Sequence, residues 1–271
     1  MIRGLYTSAS GMIAQQRQMD MLSNNLNNID TPGYKQDQGT LRTFPEMLVS
    51  RLGGDPPQPA RIGDVATGVY QDETIPDFSQ GTLTQTEKST DVALVTSQLP
   101  VNPRTGAQDG ALLFNVRTPA GALRYTRNGH FTLSPAGRLT DANGDTVLST
   151  AGQPIQLPSD QFQVAPDGTI TANGATAGQI GVSYAANTNQ LVKEGNGLFR
   201  LNGAANLPAA TGQANVGFQI RQGYMEGSNV NAEQTMTDMM EAYRVFEANQ
   251  KMMLIEDNSL NQAVTQVGRN P

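Results

Sequence analysis

Both ends of the chain carry apolar residues at helical spacing, while the stretch between them is broken by glycine, proline and Asn-Gly or Asp-Gly steps. A helix lines up residues three and four apart, whereas a strand alternates every second residue, so the two periods divide the sequence at once. At the N-terminal end Ile2, Leu5, Ala9, Met12, Met19, Leu22, Leu26 and Ile29 fall along one stripe. At the C-terminal end Met239, Tyr243, Phe246, Met253, Leu260, Val264 and Val267 repeat the spacing, with Gln250 and Asp257 as polar interruptions. The expected fold class is α+β. Long N- and C-terminal α-helices pair as a coiled-coil-like element, joined through an extended arm to a central all-β domain.

The boundaries follow from the helix and turn signals. Asp30-Thr31-Pro32-Gly33 stops the first helix, so residues 1–33 form an N-terminal assembly helix. Residues 34–74, with Gly53, Gly54, Pro56, Pro57 and Pro59, read as an extended connecting arm relieved only by a short helix near Glu46 to Leu52. Residues 75–224 read as a central β domain. Asn128-Gly129, Pro135-Ala136-Gly137, Asn143-Gly144, Asp167-Gly168, Asn173-Gly174 and Asn196-Gly197 mark turns of a meander, with strands at Leu112–Arg117, Leu123–Arg127, Phe131–Leu133 and Thr146–Leu148. Residues 225–271 form the C-terminal assembly helix, starting near Asn231 as cap with Gln234 reaching back in a capping box.

Such helices are marginal alone in water and draw their stability from packing. They can satisfy each other, but stripes rich in methionine and alanine leave an apolar remainder that seeks other copies. A head-to-tail contact that does not close into a ring generates a helical filament. The asparagines of the run Ser23 to Asn28 weaken a helix, and read either as a fraying end or as hydrogen-bonding groups toward a neighbouring subunit. The candidate interface comprises Leu5, Met12, Met19, Asn24, Asn25, Leu26 and Asn28 with Met239, Tyr243, Phe246, Met253, Leu260 and Val264.

Composition narrows the function further. With 18 basic against 24 acidic residues, a net charge of −6 and no basic cluster, nucleic acid is not an expected partner. No apolar run is long enough to insert in a membrane, and the first thirty residues lack the layout of a cleavable signal peptide. The absence of cysteine removes thiol chemistry, and the one histidine, His130, sits at an expected hairpin without an evident catalytic partner. Asp141 and Asp145 read as loop acids at a turn rather than as calcium ligands. No catalytic, cofactor-binding or metal residue is nominated, and no small-molecule substrate is expected.

Several motifs carry a resemblance. Ser10-Gly11-Met12 with Ala14-Gln15-Gln16, Asn24-Asn25-Leu26 with Asn28, and Thr31-Pro32-Gly33-Tyr34-Lys35 together resemble the N-terminal signature of the bacterial flagellar rod and hook proteins. Phe78-Ser79-Gln80-Gly81, Asp91-Val92-Ala93 and Tyr125-Thr126-Arg127-Asn128-Gly129 with Phe131 are similar to that family's central domain. The run Gln222-Gly223-Tyr224-Met225-Glu226-Gly227-Ser228-Asn229-Val230, then Glu241-Ala242-Tyr243-Arg244 and Glu247-Ala248-Asn249-Gln250-Lys251, is similar to the distal-rod branch. The resemblance implies a structural axial subunit of the flagellar basal-body rod in the cell envelope, transmitting torque to the hook. It would leave through the flagellum's own type III export apparatus, without a cleavable signal peptide, and polymerise with itself and other rod or hook subunits. Two stretches depart from the pattern: Leu94 to Gly110, with Pro100 and Pro103 but no aromatic residue, and Asn231 to Met240, with Thr235 and Thr237 where apolar residues are expected. The alternative is a surface adhesin or cell-wall glycan-binding module oligomerised by its helices. Zero tryptophans and seven tyrosines make a poor sugar-stacking platform.

Overall fold

The computed structural model describes residues 2–45, 47–51, 60–101, 110–203, 206–213 and 215–267. The chain divides into two compact units: Met1–Asn27 with Asp37–Ile75 and Asn231–Pro271, and Asn28–Gln36 with Pro76–Val230. We call them the helical unit and the β unit.

In the helical unit α1 (Ile2–Asn27) and α2 (Ala232–Val267) run antiparallel against each other, Gly4 meeting Glu256 and Gly11 meeting Asn249. At about 1.5 Å per residue the 36 residues of α2 extend about 54 Å. The Asn231 side chain accepts from the Gln234 amide at 3.2 Å, which caps α2. The reciprocal half of the expected box does not form, because Gln234 turns outward to donate to Asp238 at 2.6 Å. Thr235, at a position where an apolar residue is expected, is buried, and its hydroxyl donates to the Asn231 carbonyl at 2.7 Å. That bond satisfies the hydroxyl within its own helix and leaves the threonine methyl for packing.

Residues expected as an irregular arm are strands. β1 (Asp37–Thr43) pairs with β4 (Val69–Pro76), and β2 (Met47–Arg51) is antiparallel to β3 (Ala60–Val65). The short helix expected near Glu46 to Leu52 is therefore replaced by β2 over Met47–Arg51, while Glu46 and Leu52 themselves lie outside the described residues. Local glycine and proline content says nothing of a ladder partner many residues away, and the ladder decides. The β1–β4 ribbon lies on α1. Thr7 donates to the Thr67 carbonyl at 2.9 Å, and Ser10 accepts from the Val69 amide at 3.3 Å.

The β unit contains β5 (Leu83–Gln85), β6 (Val92–Gln98), β7 (Ala111–Arg117), β8 (Leu123–Thr126), β9 (Phe131–Leu133), β10 (Leu139–Asp141), β11 (Thr146–Val147), β12 (Gln163–Val164), β13 (Thr169–Ala172), β14 (Ala175–Gln179), β15 (Val182–Ala185), β16 (Leu191–Gly195), β17 (Leu198–Leu201), β18 (Gly217–Gln222) and β19 (Tyr224–Glu226). The main sheet runs β16-β17-β8-β7-β11-β10-β9, with β15 also on β7. β12-β13-β14 form a second sheet, and β18 pairs with β6 and β19 with β5. All four expected strands are present. Leu94, at the start of the first departing stretch, lies within β6, whereas 102–109 lie outside the described residues.

Side chains alternate across β7, and both of its faces are covered. Leu112, Phe114 and Val116 enter the larger core with Phe131, Leu139 and Ile170, while Ala111 and Leu113 enter a smaller one with Tyr125, Leu191 and Phe199. Phe114 and Phe131 meet edge to face at 5.4 Å between centroids. Asn173-Gly174 and Asn196-Gly197 have positive φ at both residues, the conformation a two-residue hairpin requires. Asn128-Gly129 does not make the expected hairpin, since β8 and β9 are not paired. Gly129 serves instead for close approach: a Cβ there would overlap the Val92 carbonyl, and Val92 donates to the Gly129 carbonyl at 3.0 Å.

Candidate functional site

From Thr235 to Thr265, the residues of α2 that are not exposed are Thr235, Met239, Ala242, Phe246, Asn249, Met253, Glu256, Leu260 and Ala263, at alternating intervals of four and three, with only Asp238 and Glu247 besides. The same alternation through the contact glycines of α1 gives Gly4, Ser8, Gly11, Gln15, Gln18, Leu22 and Asn25. This seam differs from the expected one. On α2 the polar interruptions are Asn249 and Glu256 rather than Gln250 and Asp257, which are exposed, and Ala242 takes the place given to Tyr243. On α1 the row is mostly small or polar, while Leu5, Met12, Met19 and Leu26 stand one position along it, half-buried. A count of apolar residues finds the greasiest stripe. Close helix approach instead selects glycine, serine and alanine.

Of the other expected interface residues, Met239, Phe246, Met253 and Leu260 are half-buried on the seam, while Tyr243 and Val264 are 53% and 72% exposed. They belong to a larger set. Among the described residues every exposed large hydrophobic side chain except Val101 lies in the helical unit: Tyr6 and Ile13 on α1, Leu41, Phe44 and Val65 beyond it, and Met236, Met240, Tyr243, Val245, Met252, Leu254, Ile255 and Val264 on α2. Met19, Ser23, Met239, Met240, Tyr243 and Glu247 line an open groove of about 680 Å³ along the helix pair.

The asparagine run resolves residue by residue. Asn24 is exposed. Asn25 is 0% exposed, and its amide both donates to the Asp37 carbonyl and accepts from the Asp37 amide, each at 2.9 Å. It holds its own chain to α1, which is neither of the two expected roles. Asn28 is half-buried and accepts from the Thr31 hydroxyl at 3.2 Å.

The β unit hides a charge cluster that motif spacing did not reveal. Lys35, Arg127 and Glu226 are 0, 3 and 2% exposed. Glu226 accepts from the Lys35 ammonium at 2.7 Å, the Arg127 guanidinium at 2.6 Å and the Gly81 amide at 3.0 Å. Lys35 also donates to the Ser79 carbonyl at 2.7 Å, and Arg127 to the carbonyls of Leu112 at 2.6 Å and Leu94 at 2.7 Å. Each charge is thus paired and hydrogen-bonded, the condition for a tolerable buried ion. Burial disfavours the Glu226 carboxylate, but the charges of Arg127 and Lys35 and their hydrogen bonds outweigh it and hold the carboxyl below its usual range. Burial, assisted by Arg127, pushes the Lys35 ammonium down. One signal in the sequence pointed here: each charge sits inside one of the motifs quoted above.

His130 and Asp141 have structural partners. His130 Nδ1 lies 2.7 Å from a carboxylate oxygen of buried Asp91. Asp141 accepts from the amides of Asn143 and Asp145 at 2.9 and 2.8 Å, closing a turn as a loop acid does. Burial and the Asp141 charge push the Asp145 carboxyl up. Among the described residues no three His, Cys, Asp or Glu side chains gather as metal ligands, and no helix is long and apolar enough to cross a membrane.

Three segments match known family models: residues 5–35 that of flagella basal body rod protein, 107–172 the D1 domain of flagellar hook protein FlgE/F/G, and 221–266 the C-terminal region of flagellar basal body rod FlgEFG protein. Lys35, Arg127 and Glu226 fall one in each. The chain is 44% identical to the flagellar hook-basal body complex protein FlhO of Bacillus subtilis, over 99% of this chain and 100% of that protein. It is 33% identical to the flagellar basal-body rod protein FlgG of the same organism, over 97% and 98%. It is 28% identical to the flagellar basal-body rod protein FlgF of Caulobacter vibrioides, over 99% of each. With these segments in this order and this identity along its whole length, the chain belongs to the family of flagellar basal-body rod and hook proteins, structural components of the flagellum rather than enzymes.

Proposed function

We propose that this protein is an axial subunit of the distal rod, polymerising through its helical unit with copies of itself and with other rod or hook subunits. The observation that carries the reading is the confinement of exposed apolar side chains, Val101 apart, to that unit. Singly exposed apolar residues are ordinary, but eight on one helix form a surface that water covers poorly. Antiparallel α1 and α2, with seam residues near a seven-residue period, pair as a left-handed coiled coil whose outer faces meet neighbouring subunits. Contacts between unlike faces stack without closing, and the stack transmits torque. Helices that gain stability only by packing also suit passage of an unfolded chain through the export apparatus.

Deletion of the gene should abolish hook and filament while leaving the inner-membrane ring, and a deletion strain with complete flagella would remove the proposed role. At residue level, Leu26→Asp and Phe246→Asp should block incorporation more than they affect folding of the β unit, because an unpaired charge at a helix interface is costly. Normal incorporation of both variants would show that these helices are not the contact elements.

A further inference from the structure

The α2 side of the α1–α2 seam carries two long polar side chains, Asn249 and Glu256, where packed helices ordinarily place apolar ones. They are seven residues apart, and each lies over a glycine of α1. A Cβ at Gly11 would come within 2.8 Å of the Asn249 amide nitrogen, and one at Gly4 would overlap the Glu256 carboxylate. Gly4 and Gly11 are themselves seven residues apart, so the two spacings match.

We propose that Gly4–Glu256 and Gly11–Asn249 form a two-point key that fixes the register of α1 against α2. The inference deepens the assembly reading, since the register decides which apolar side chains are left for other copies. A seam with a seven-residue repeat is nearly self-similar under a slip of one repeat, and apolar packing alone discriminates weakly between the alternatives. The key breaks that degeneracy. Sliding α2 one way brings Glu256 over Gly11 but drives Asn249 against Gln18; sliding it the other way brings Asn249 over Gly4 but carries Glu256 beyond the start of α1. Only the observed register gives both polar side chains a glycine. A polar residue at one seam position is a known means of specifying register at some cost in stability.

The cysteine-free sequence makes the test clean. Met19 and Tyr243 face one groove, so Met19→Cys with Tyr243→Cys reports the native register in the full-length chain through a short thiol-to-thiol cross-linker. Met19→Cys with Met236→Cys or Gln250→Cys reports a slip of one repeat either way. With the key intact, the native pair should cross-link at least ten times more than either slipped pair. With Asn249→Leu and Glu256→Leu together, slipped cross-links should rise to within about threefold of the native one while helix content by circular dichroism is kept. In a second arm, Gly11→Asn alone should lower the native cross-link severalfold, and adding Asn249→Gly, which moves the polar group to the other helix, should restore it. Dominance of the native cross-link in the double-leucine chain, or failure of the swapped pair to restore it, would overturn the key. Either failure leaves assembly through the helical unit standing, because incorporation into flagella is read separately.

Discussion

The two units of this molecule dispose of their difficult side chains in opposite ways. The β unit buries Lys35, Arg127 and Glu226 and pairs them with one another, and of its described large hydrophobic residues only Val101 is exposed. The helical unit lines the α1 side of its seam mostly with small or polar residues, sets Asn249 and Glu256 among Met239, Phe246, Met253 and Leu260 on the α2 side, and turns further methionine, tyrosine, leucine and isoleucine outward. On the proposed reading the β unit completes its own folding, whereas the helical unit is completed by contacts with other subunits.

The comparison breaks most readily at the charge cluster. Glu226→Ala leaves Lys35 and Arg127 facing each other in a dry interior, so it should destabilise the β unit by about 3–5 kcal/mol in denaturant unfolding. A loss below ~1 kcal/mol would mean that water reaches the cluster. Acid should act through the same carboxyl. Its folded pKa lies below its unfolded value, so its contribution is fully present above the ordinary glutamate pKa of about 4.3 and is lost as pH falls through the folded value. Lys35 changes stability with pH in the same direction, through a cost rather than a gain. Its lowered pKa means that protonating it costs stability, a cost relieved as pH rises from the folded value to the unfolded one. Acid titration of the β unit should therefore show stability falling below about pH 4, and Glu226→Gln should flatten that fall; an unchanged acid profile in the variant would assign the effect elsewhere.

A smaller effect is expected at Asn25. Its replacement by alanine strips both backbone groups of Asp37 of their partner, at about 1–3 kcal/mol, and the loss should appear in the helical unit alone. Equal loss in the β unit would blur the distinction between the two. The smallest change in stability should come from Tyr243→Ser or Leu254→Ser, within about 0.5 kcal/mol, since both side chains face water in the free chain. Their incorporation into flagella should nevertheless fall severalfold. Unimpaired incorporation would sharpen the comparison by moving the contact face to Val245, Met252 and Ile255.

What the sequence disclosed follows physical range. The existence of α1 and α2 and their ends were legible, because a 3.6-residue period, the Pro32-Gly33 break and the Asn231 cap are local. On α1 the seam was displaced by one position, and on α2 Met239, Phe246, Met253 and Leu260 lie on it but the residues between them differ, because its geometry depends on which glycine of one helix meets which long side chain of the other. Strands β1 to β4 were hidden for a related reason: the β1–β4 ladder joins residues well separated in sequence, and β2 and β3 pair across prolines that speak for irregular chain. The charge cluster was half visible. Lys35, Arg127 and Glu226 each sit in one of the quoted glycine-containing motifs, but their meeting depends on separations of up to 191 residues.

Amide hydrogen exchange measured in the free chain and in purified hook-basal bodies follows the helical unit through assembly. Completion of the helical unit by other subunits predicts that protection along α2, from Met236 to Val264, rises at least tenfold on assembly while β7 and β8 stay unchanged. Full protection of α2 in the free chain, with no further gain on assembly, would contradict it.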